Sequence, residues 1–143
     1  MTEIGFHFNV AAPAGYACRL IRKALRQGSP ITITGPRVAL EGIDRELWAL
    51  GPTEFVPHAW AADAASVPAR LHPTTAWLAP EPLDAPMQGA LVNLGEAVPR
   101  GFESYHRLIE IVSADEGDRA AARERWKGYV GRGYAIVRHE VGE

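Results

Sequence analysis

The sequence predicts an α/β sandwich with a largely parallel sheet. Two observations carry this prediction: strand-like and helix-like patterns alternate along the chain, and neither an internal repeat nor a linker divides it. The chain has 143 residues, of which 47% are hydrophobic, which is enough to build one sizeable core. We therefore expect a single domain over residues 1–143.

The first two predicted elements are a half-buried strand and an amphipathic helix. Apolar residues recur at every second position of the strand: Ile4, Phe6, Phe8 and Val10. A turn over 13–15 leads to the helix, which covers 17–27 and ends at Gly28. The outward cations of this helix are Arg19, Arg22, Lys23 and Arg26. Most of them lie in its C-terminal half, where cations stabilise the helix dipole, so we interpret them as structural; contact with nucleic acid is the alternative.

The alternation continues along the rest of the chain. A strand over 31–34 precedes a helix over 38–50, which Gly51-Pro52 ends. Residues 61–73 are rich in proline and alanine and predict a surface loop. The further predicted strands cover 75–78, 90–94, 108–112 and 134–139.

The third predicted helix begins near residue 113. Ser113 and Glu116 have the Ser-x-x-Glu spacing of a capping box, which predicts a start at Ser113, and Gly131 and Gly133 predict the end. At about 100° per residue, Arg119, Arg123 and Lys127 share one face of this helix.

That face predicts a receptor for an acidic peptide. Arg123 and Lys127 supply fixed positive charges, Trp126 lies at the edge of the same face, and an apolar strand precedes the helix. Cations beside an aromatic wall suit a peptide that ends in an acidic run and an apolar residue. A solvated basic stripe is the alternative interpretation.

Several function classes are disfavoured by composition and by missing motifs. The net charge of −2 argues against a dedicated nucleic-acid binder. Neither glycine-rich phosphate loop is present, so no nucleotide-binding loop is expected. The histidines lack metal-ligand or catalytic spacing: His7, His58, His72, His106 and His139. We therefore predict no catalytic residue, metal or cofactor.

The single cysteine and the lack of long apolar runs predict a cytoplasmic protein. Cys18 has no partner for a disulfide and lies among the apolar positions of the first predicted helix, which suits a reducing compartment. No run of eighteen apolar residues and no signal-peptide pattern are present.

A second unusual segment is rich in aromatic residues. Trp48, Phe55 and Trp60 crowd a helix end and a proline-punctuated turn. Aromatic residues on loops over a rigid scaffold are typical anchors of protein interfaces, and packing into the core under a loop is the alternative.

At these residues the chain resembles the chi-subunit family of the bacterial DNA polymerase III holoenzyme, over essentially its whole length. The most specific parts are Leu47-Trp48 with Phe55-Val-Pro-His58, the strand over 108–112, and the segment 122–129. The resemblance implies a Rossmann-like three-layer fold, with helices on both faces of the sheet and no enzymatic activity. It also implies binding to the acidic C-terminal tail of single-stranded DNA-binding protein and to the psi subunit, which links chi to the clamp loader.

The resemblance also implies site residues. The tail site comprises Val112, Arg123, Trp126 and Lys127: the cations hold carboxylates, and Val112 and Trp126 wall the pocket for the last phenylalanine. Family members often carry tyrosine where this chain has Trp126, which keeps the aromatic wall but lacks the hydroxyl.

The second surface implied by the resemblance contacts psi. It comprises Trp48, Phe55, Val56 and Pro57. The alternatives to this function are a direct single-stranded DNA-binding module, which would use the basic helix over 19–26, and a nucleotide-dependent enzyme with a degenerate Rossmann-like fold.

Overall fold

The computed structural model of the chain describes residues 2–49, 58–61, 76–82, 85 and 89–141. In chain order its elements are β1 (Glu3–Val10), α1 (Pro13–Arg26), β2 (Ile31–Thr34), α2 (Arg37–Trp48), β3 (Ala59–Trp60), β4 (Ala76–Leu78), β5 (Ala90–Asn93), a short 3-10 helix (Phe102–Ser104), β6 (Arg107–Ser113), α3 (Glu116–Gly131) and β7 (Ile136–Glu140). The predicted strands and helices are therefore confirmed, with small changes at their ends.

The strands form one sheet in the order β3-β4-β2-β5-β6-β1-β7. Every pairing between described strands is parallel. β1 lies between β6 and β7, so that Gly5 is paired with Ile109 on one side and Val137 on the other. The sequence did not predict β3, because a strand of two residues has no measurable periodicity.

Helices cover both faces of the sheet. Alternate residues of β6 face opposite sides, as in any strand. Ile109 and Ile111 belong to one hydrophobic core with the buried side chains of α1 and α2. Leu108 and Val112 belong to a second core with the buried side chains of α3. The arrangement is a Rossmann-like three-layer sandwich, as the resemblance implied.

The start of α1 corrects one prediction. The expected turn over 13–15 is wrong, because Pro13 occupies the first helical position and the helix continues to Arg26. Proline fits there, since its fixed φ suits a helix and the first helical N–H has no partner within the helix. The loop that joins β1 to α1 is thus short and carries no glycine, which agrees with the absence of a phosphate-binding loop.

The start of α3 corrects another. Ser113 is the last residue of β6 and is paired with Val10, so it does not cap the helix. Asp115 is the N-cap, and its carboxylate accepts a hydrogen bond from the backbone N–H of Asp118 at 3.0 Å. The end is as predicted: Gly133 adopts a φ of 89°, in the left-handed region that favours glycine.

Two sequence predictions fall largely outside the described residues. In the expected loop over 61–73 only Ala61 is described, and in the expected helix end over 50–52 no residue is. None of the helices in the described part of the chain is long and apolar enough to span a membrane.

Candidate functional site

The helix that carries the predicted tail site is anchored by a buried ion pair. Nε of Arg125 lies 3.0 Å from Oε1 of Glu110, a fully buried residue in the middle of β6. Tyr129 donates its hydroxyl hydrogen to Oε2 of Glu110 at 2.6 Å. The amide of Asn93 donates to both carboxylate oxygens, at 3.0 and 3.2 Å. Donors from β5 and α3 therefore converge on one carboxylate.

This cluster, which we term the Glu110 clamp (Asn93, Glu110, Arg125 and Tyr129), fixes how α3 is rotated on the sheet. Nη1 of Arg125 also donates to the backbone carbonyl of Glu96 at 2.9 Å, which ties the helix to the loop after β5. Because each of these hydrogen bonds is directional, rotation or sliding of α3 would break several of them together.

Burial raises the pKa of both acidic groups of the clamp, the Glu110 carboxyl and the Tyr129 hydroxyl. It raises the pKa of Glu110, while Arg125 and the donors from Tyr129 and Asn93 act in the opposite direction. Burial and the nearby charge of Glu110 raise the pKa of Tyr129 far above its ordinary value, so Tyr129 remains a hydrogen-bond donor.

Sequence reasoning missed the clamp. The run Arg123-Glu124-Arg125 looks like solvated charge, yet Arg125 is only 3% exposed. Two signals could have found it. Ala122, Arg125 and Tyr129 have the spacing of one helix face, and Glu110 is the only charged residue inside the apolar strand over 108–112.

The same rotation turns two cations outward. Arg123 and Lys127 each lie two residues from Arg125, about 160° around the helix, so burial of Arg125 places both on the solvent side. Both are exposed. Arg123 has no ion-pair partner among the described residues. Nζ of Lys127 lies 3.4 Å from Oε2 of Glu124, in a pair whose side chains are 74% and 75% exposed.

Trp126 packs between this exposed face and the core. It is half-buried, and its ring centroid lies 5.0 Å from that of Phe6 and 6.1 Å from that of Phe8. The guanidinium of Arg138 on β7 lies over the ring of Phe8, at 4.3 Å from its centroid. Next to the two cations, an aromatic surface therefore extends from α3 across β1 towards the sheet edge.

Of the four predicted tail-site residues, the structure brings three to the surface. Val112 is instead 0% exposed and lies in the core shared with Phe6 and Ala122. It supports the helix from beneath and does not line an open surface in this structure. Glu124 lies near Lys127, and Glu116 lies 4.0 Å from Arg119 on the same helix, so the face is mixed in charge rather than purely basic.

Trp48, the one described residue of the predicted psi surface, lies on the other side of the sheet from α3. Trp48 ends α2 and is 59% exposed. Its ring lies 5.2 Å from the ring of His58, and Nε2 of His58 lies 2.6 Å from Oδ1 of Asp44. The other three residues of this surface, at positions 55–57, lie outside the described part of the chain.

Comparison with known proteins decides the family. The model of the family described as "DNA polymerase III chi subunit, HolC" matches residues 1–137. The chain belongs to the chi-subunit family of DNA polymerase III. It is 31% identical to the DNA polymerase III subunit chi of Haemophilus influenzae over 128 residues, which cover 88% of this chain and 85% of that protein. It is 27% identical to the subunit chi of Pseudomonas aeruginosa over 146 residues, covering 99% and 98%.

Membership of the chi family makes the chain a replication accessory subunit with a non-catalytic role, and its partners belong to the replication machinery. Within the described ranges, no group of three or more His, Cys, Asp or Glu side chains could hold a metal ion. The described surfaces on α3 and at the end of α2 carry exposed charged and aromatic side chains.

Proposed function

We propose that this chi-family chain binds the acidic C-terminal tail of single-stranded DNA-binding protein on α3 and, through psi, connects that protein to the clamp loader in the cytoplasm. One observation carries the proposal: the Glu110 clamp holds α3 so that Arg123 and Lys127 project beside the half-buried ring of Trp126.

A ligand would have to break few existing ion pairs to bind the two cations. Arg123 has no ion pair to break among the described residues. The exposed pair of Lys127 with Glu124 contributes about 0–1 kcal/mol, so a peptide carboxylate can displace Glu124. Arg123 can bind a carboxylate through two parallel N–H donors, and Lys127 adds a second positive charge one helical turn away.

The aromatic surface can bind the apolar end of the tail. Trp126, Phe8 and the guanidinium over Phe8 form a wall beside the cations. A terminal phenylalanine packed there would gain about 1–2 kcal/mol from burial and ring contacts. Val112 keeps this wall in place by filling the core below it.

Placement of the two surfaces allows both partners to bind together. The tail surface lies on α3, and Trp48 lies on α2, on the opposite face of the sheet. A psi subunit that covers Trp48 would therefore leave Arg123 and Lys127 accessible. This geometry suits a linker between two proteins.

Calorimetric titration tests the proposal. We expect a peptide ending in Asp-Phe-Pro-Phe to bind with a Kd in the micromolar range, and the same peptide without its final phenylalanine to bind far more weakly. Binding should weaken as salt rises, because exposed charges are screened within about 8 Å at physiological ionic strength. Equal heats from both peptides, or none from either, would contradict the proposal.

A further inference from the structure

The face of β1 that looks away from α3 contains a recess with no assigned role. Gly5 lies in its floor, between strands β6 and β7, and has no side chain to fill the space. The recess has a volume of about 430 Å³, and its walls include Arg107, Val137 and His139. Glu3, which is paired with Arg107 across β1 and β6, also belongs to the lining.

Two imidazoles turn towards the point above Gly5. A methyl group on Gly5 would lie 3.8 Å from Nε2 of His7 and 3.8 Å from Nε2 of His139. The two rings lie side by side on paired strand positions, with centroids 4.5 Å apart. Both nitrogens therefore face the same small space.

His7 holds a buried polar atom that the fold leaves unsatisfied. The residue is only 9% exposed, and its Nε2 has no hydrogen-bond partner among the described residues. Its Nδ1 lies 2.5 Å from the hydroxyl of Tyr16. A neutral imidazole whose Nδ1 accepts from that hydroxyl presents an N–H at Nε2, which makes it a donor aimed at the recess.

The surroundings of His7 are positively charged. Arg107 also lines a neighbouring groove of about 370 Å³, together with His7, Lys23 and His106. Burial and then His139, Arg107 and Lys23, in that order, lower the pKa of His7 to about 4. Among the described residues that line the recess and the neighbouring groove, Glu3 is the only acidic one. Unpaired donors in a positive field favour an anion and disfavour a metal cation.

We propose that the recess above Gly5 binds a phosphate-type oxyanion, with Arg107 as its charged partner and the Nε2 atoms of His7 and His139 as hydrogen-bond donors. A guanidinium matches two oxygens of a tetrahedral anion, and the imidazoles complete the coordination from the strand side. The site is separate from the tail surface, because it lies on the opposite face of the sheet.

A titration with inorganic phosphate, followed by NMR of the imidazole nitrogens, tests the inference. Ionic strength is held constant with sodium chloride. We expect saturable shifts of the His7 and His139 nitrogens. Arg107→Gln should weaken phosphate binding at least tenfold, whereas Arg26→Gln, which removes an exposed cation of α1 outside the recess lining, should leave it unchanged. Absence of saturable shifts, or equal losses in both variants, would overturn the proposal.

A second variant blocks the recess without removing charge. Gly5→Ala adds a methyl at ordinary van der Waals distances of 3.7–3.8 Å from the two histidines, so the fold should tolerate it. We expect unchanged melting temperature and weaker phosphate binding. Unchanged affinity in Gly5→Ala would show that the anion does not occupy this space.

A further measurement, competition with an oligonucleotide, distinguishes the possible sources of the phosphate group. A short thymidine oligonucleotide that displaces phosphate from the His139 signal would identify a nucleic-acid phosphodiester as the ligand. Binding of inorganic phosphate alone would identify a free phosphate. Oligonucleotide binding that Arg107→Gln leaves unchanged would count against this recess as a nucleic-acid contact.

Discussion

Arg125 and Glu110 form an ion pair between α3 and the centre of the sheet, with 3.0 Å between Nε and Oε1 and side chains that are only 3% and 0% exposed. This pair lies directly behind the surface proposed to bind the tail. Its burial determines which residues of α3 face solvent, so a core contact and a binding surface depend on the same helix rotation.

Removing one member of the pair should destabilise the fold strongly. Arg125→Met leaves the charge of Glu110 buried without its cation, and we expect a loss of about 3–5 kcal/mol in the free energy of unfolding. Chemical denaturation measures this free energy of unfolding. The matched control is Arg123→Met on the exposed face, which should change stability by no more than about 0.5 kcal/mol.

Neutralising both partners should restore part of that loss. In the double variant Arg125→Met with Glu110→Gln, the amide oxygen still accepts from Tyr129 and no charge remains buried. We expect it to be more stable than Arg125→Met alone. If Arg125→Met were no less stable than Arg123→Met, the clamp would not anchor the helix.

Cys18 should be nearly unreactive in the folded protein. Burial, with the nearby carboxylate of Glu46 at 3.4 Å, raises the pKa of the Cys18 thiol to about 12. The reactive thiolate is therefore scarce at pH 8. We expect slow labelling by a disulfide reagent in buffer and fast labelling in denaturant. Equal rates under the two conditions would show that the thiol is accessible.

His7 should make stability fall in acid. Its pKa is lowered from 6.5 to about 4 in the folded chain, so between these values the unfolded chain binds more protons. Stability then rises with pH across that window, and up to about 3 kcal/mol is lost as pH falls from 7 to below 4. Denaturation of wild type and His7→Asn at several pH values measures the difference. Parallel pH profiles for the two proteins would refute this role of His7.

Trp48 should contribute to the binding of psi and not to the binding of the tail. Its side chain is 59% exposed, so Trp48→Ala should keep the fold, as circular dichroism would verify. We expect about 2 kcal/mol or more of lost affinity for psi, since exposed tryptophans often dominate interfaces, with tail binding unchanged. We expect Phe55→Ala also to weaken psi binding and to leave tail binding unchanged. Loss of tail affinity in folded Trp48→Ala would contradict separate surfaces.

Much of the fold could be predicted because its signals are local. Alternating apolar residues gave β1, and the spacing of Arg123 and Lys127 correctly predicted their shared exposed face. The start of α3 could not be predicted from spacing alone. Ser113 fits a capping box, but sheet pairing with Val10 holds it in β6 and leaves the cap to Asp115.

The features that were missed depend on contacts between distant segments. Residue type does not distinguish buried Arg125 from exposed Arg123. Arg125 shares the helix face of Ala122 and Tyr129, but only Glu110 across the core makes burial of its charge possible. In the same way, the recess above Gly5 requires His7 and His139, which are far apart in sequence and meet because β7 pairs with β1.

The most direct test of the tail-binding function is calorimetric titration of the tail peptide into Arg123→Ala and Lys127→Ala. We expect each variant to lose about 1–3 kcal/mol of binding free energy, or about 5–150-fold in Kd, with its melting temperature unchanged. Arg26→Ala, which removes an exposed cation from the opposite face of the sheet, serves as the control and should bind like wild type. Wild-type affinity in both α3 variants would contradict the assignment of the tail site to α3.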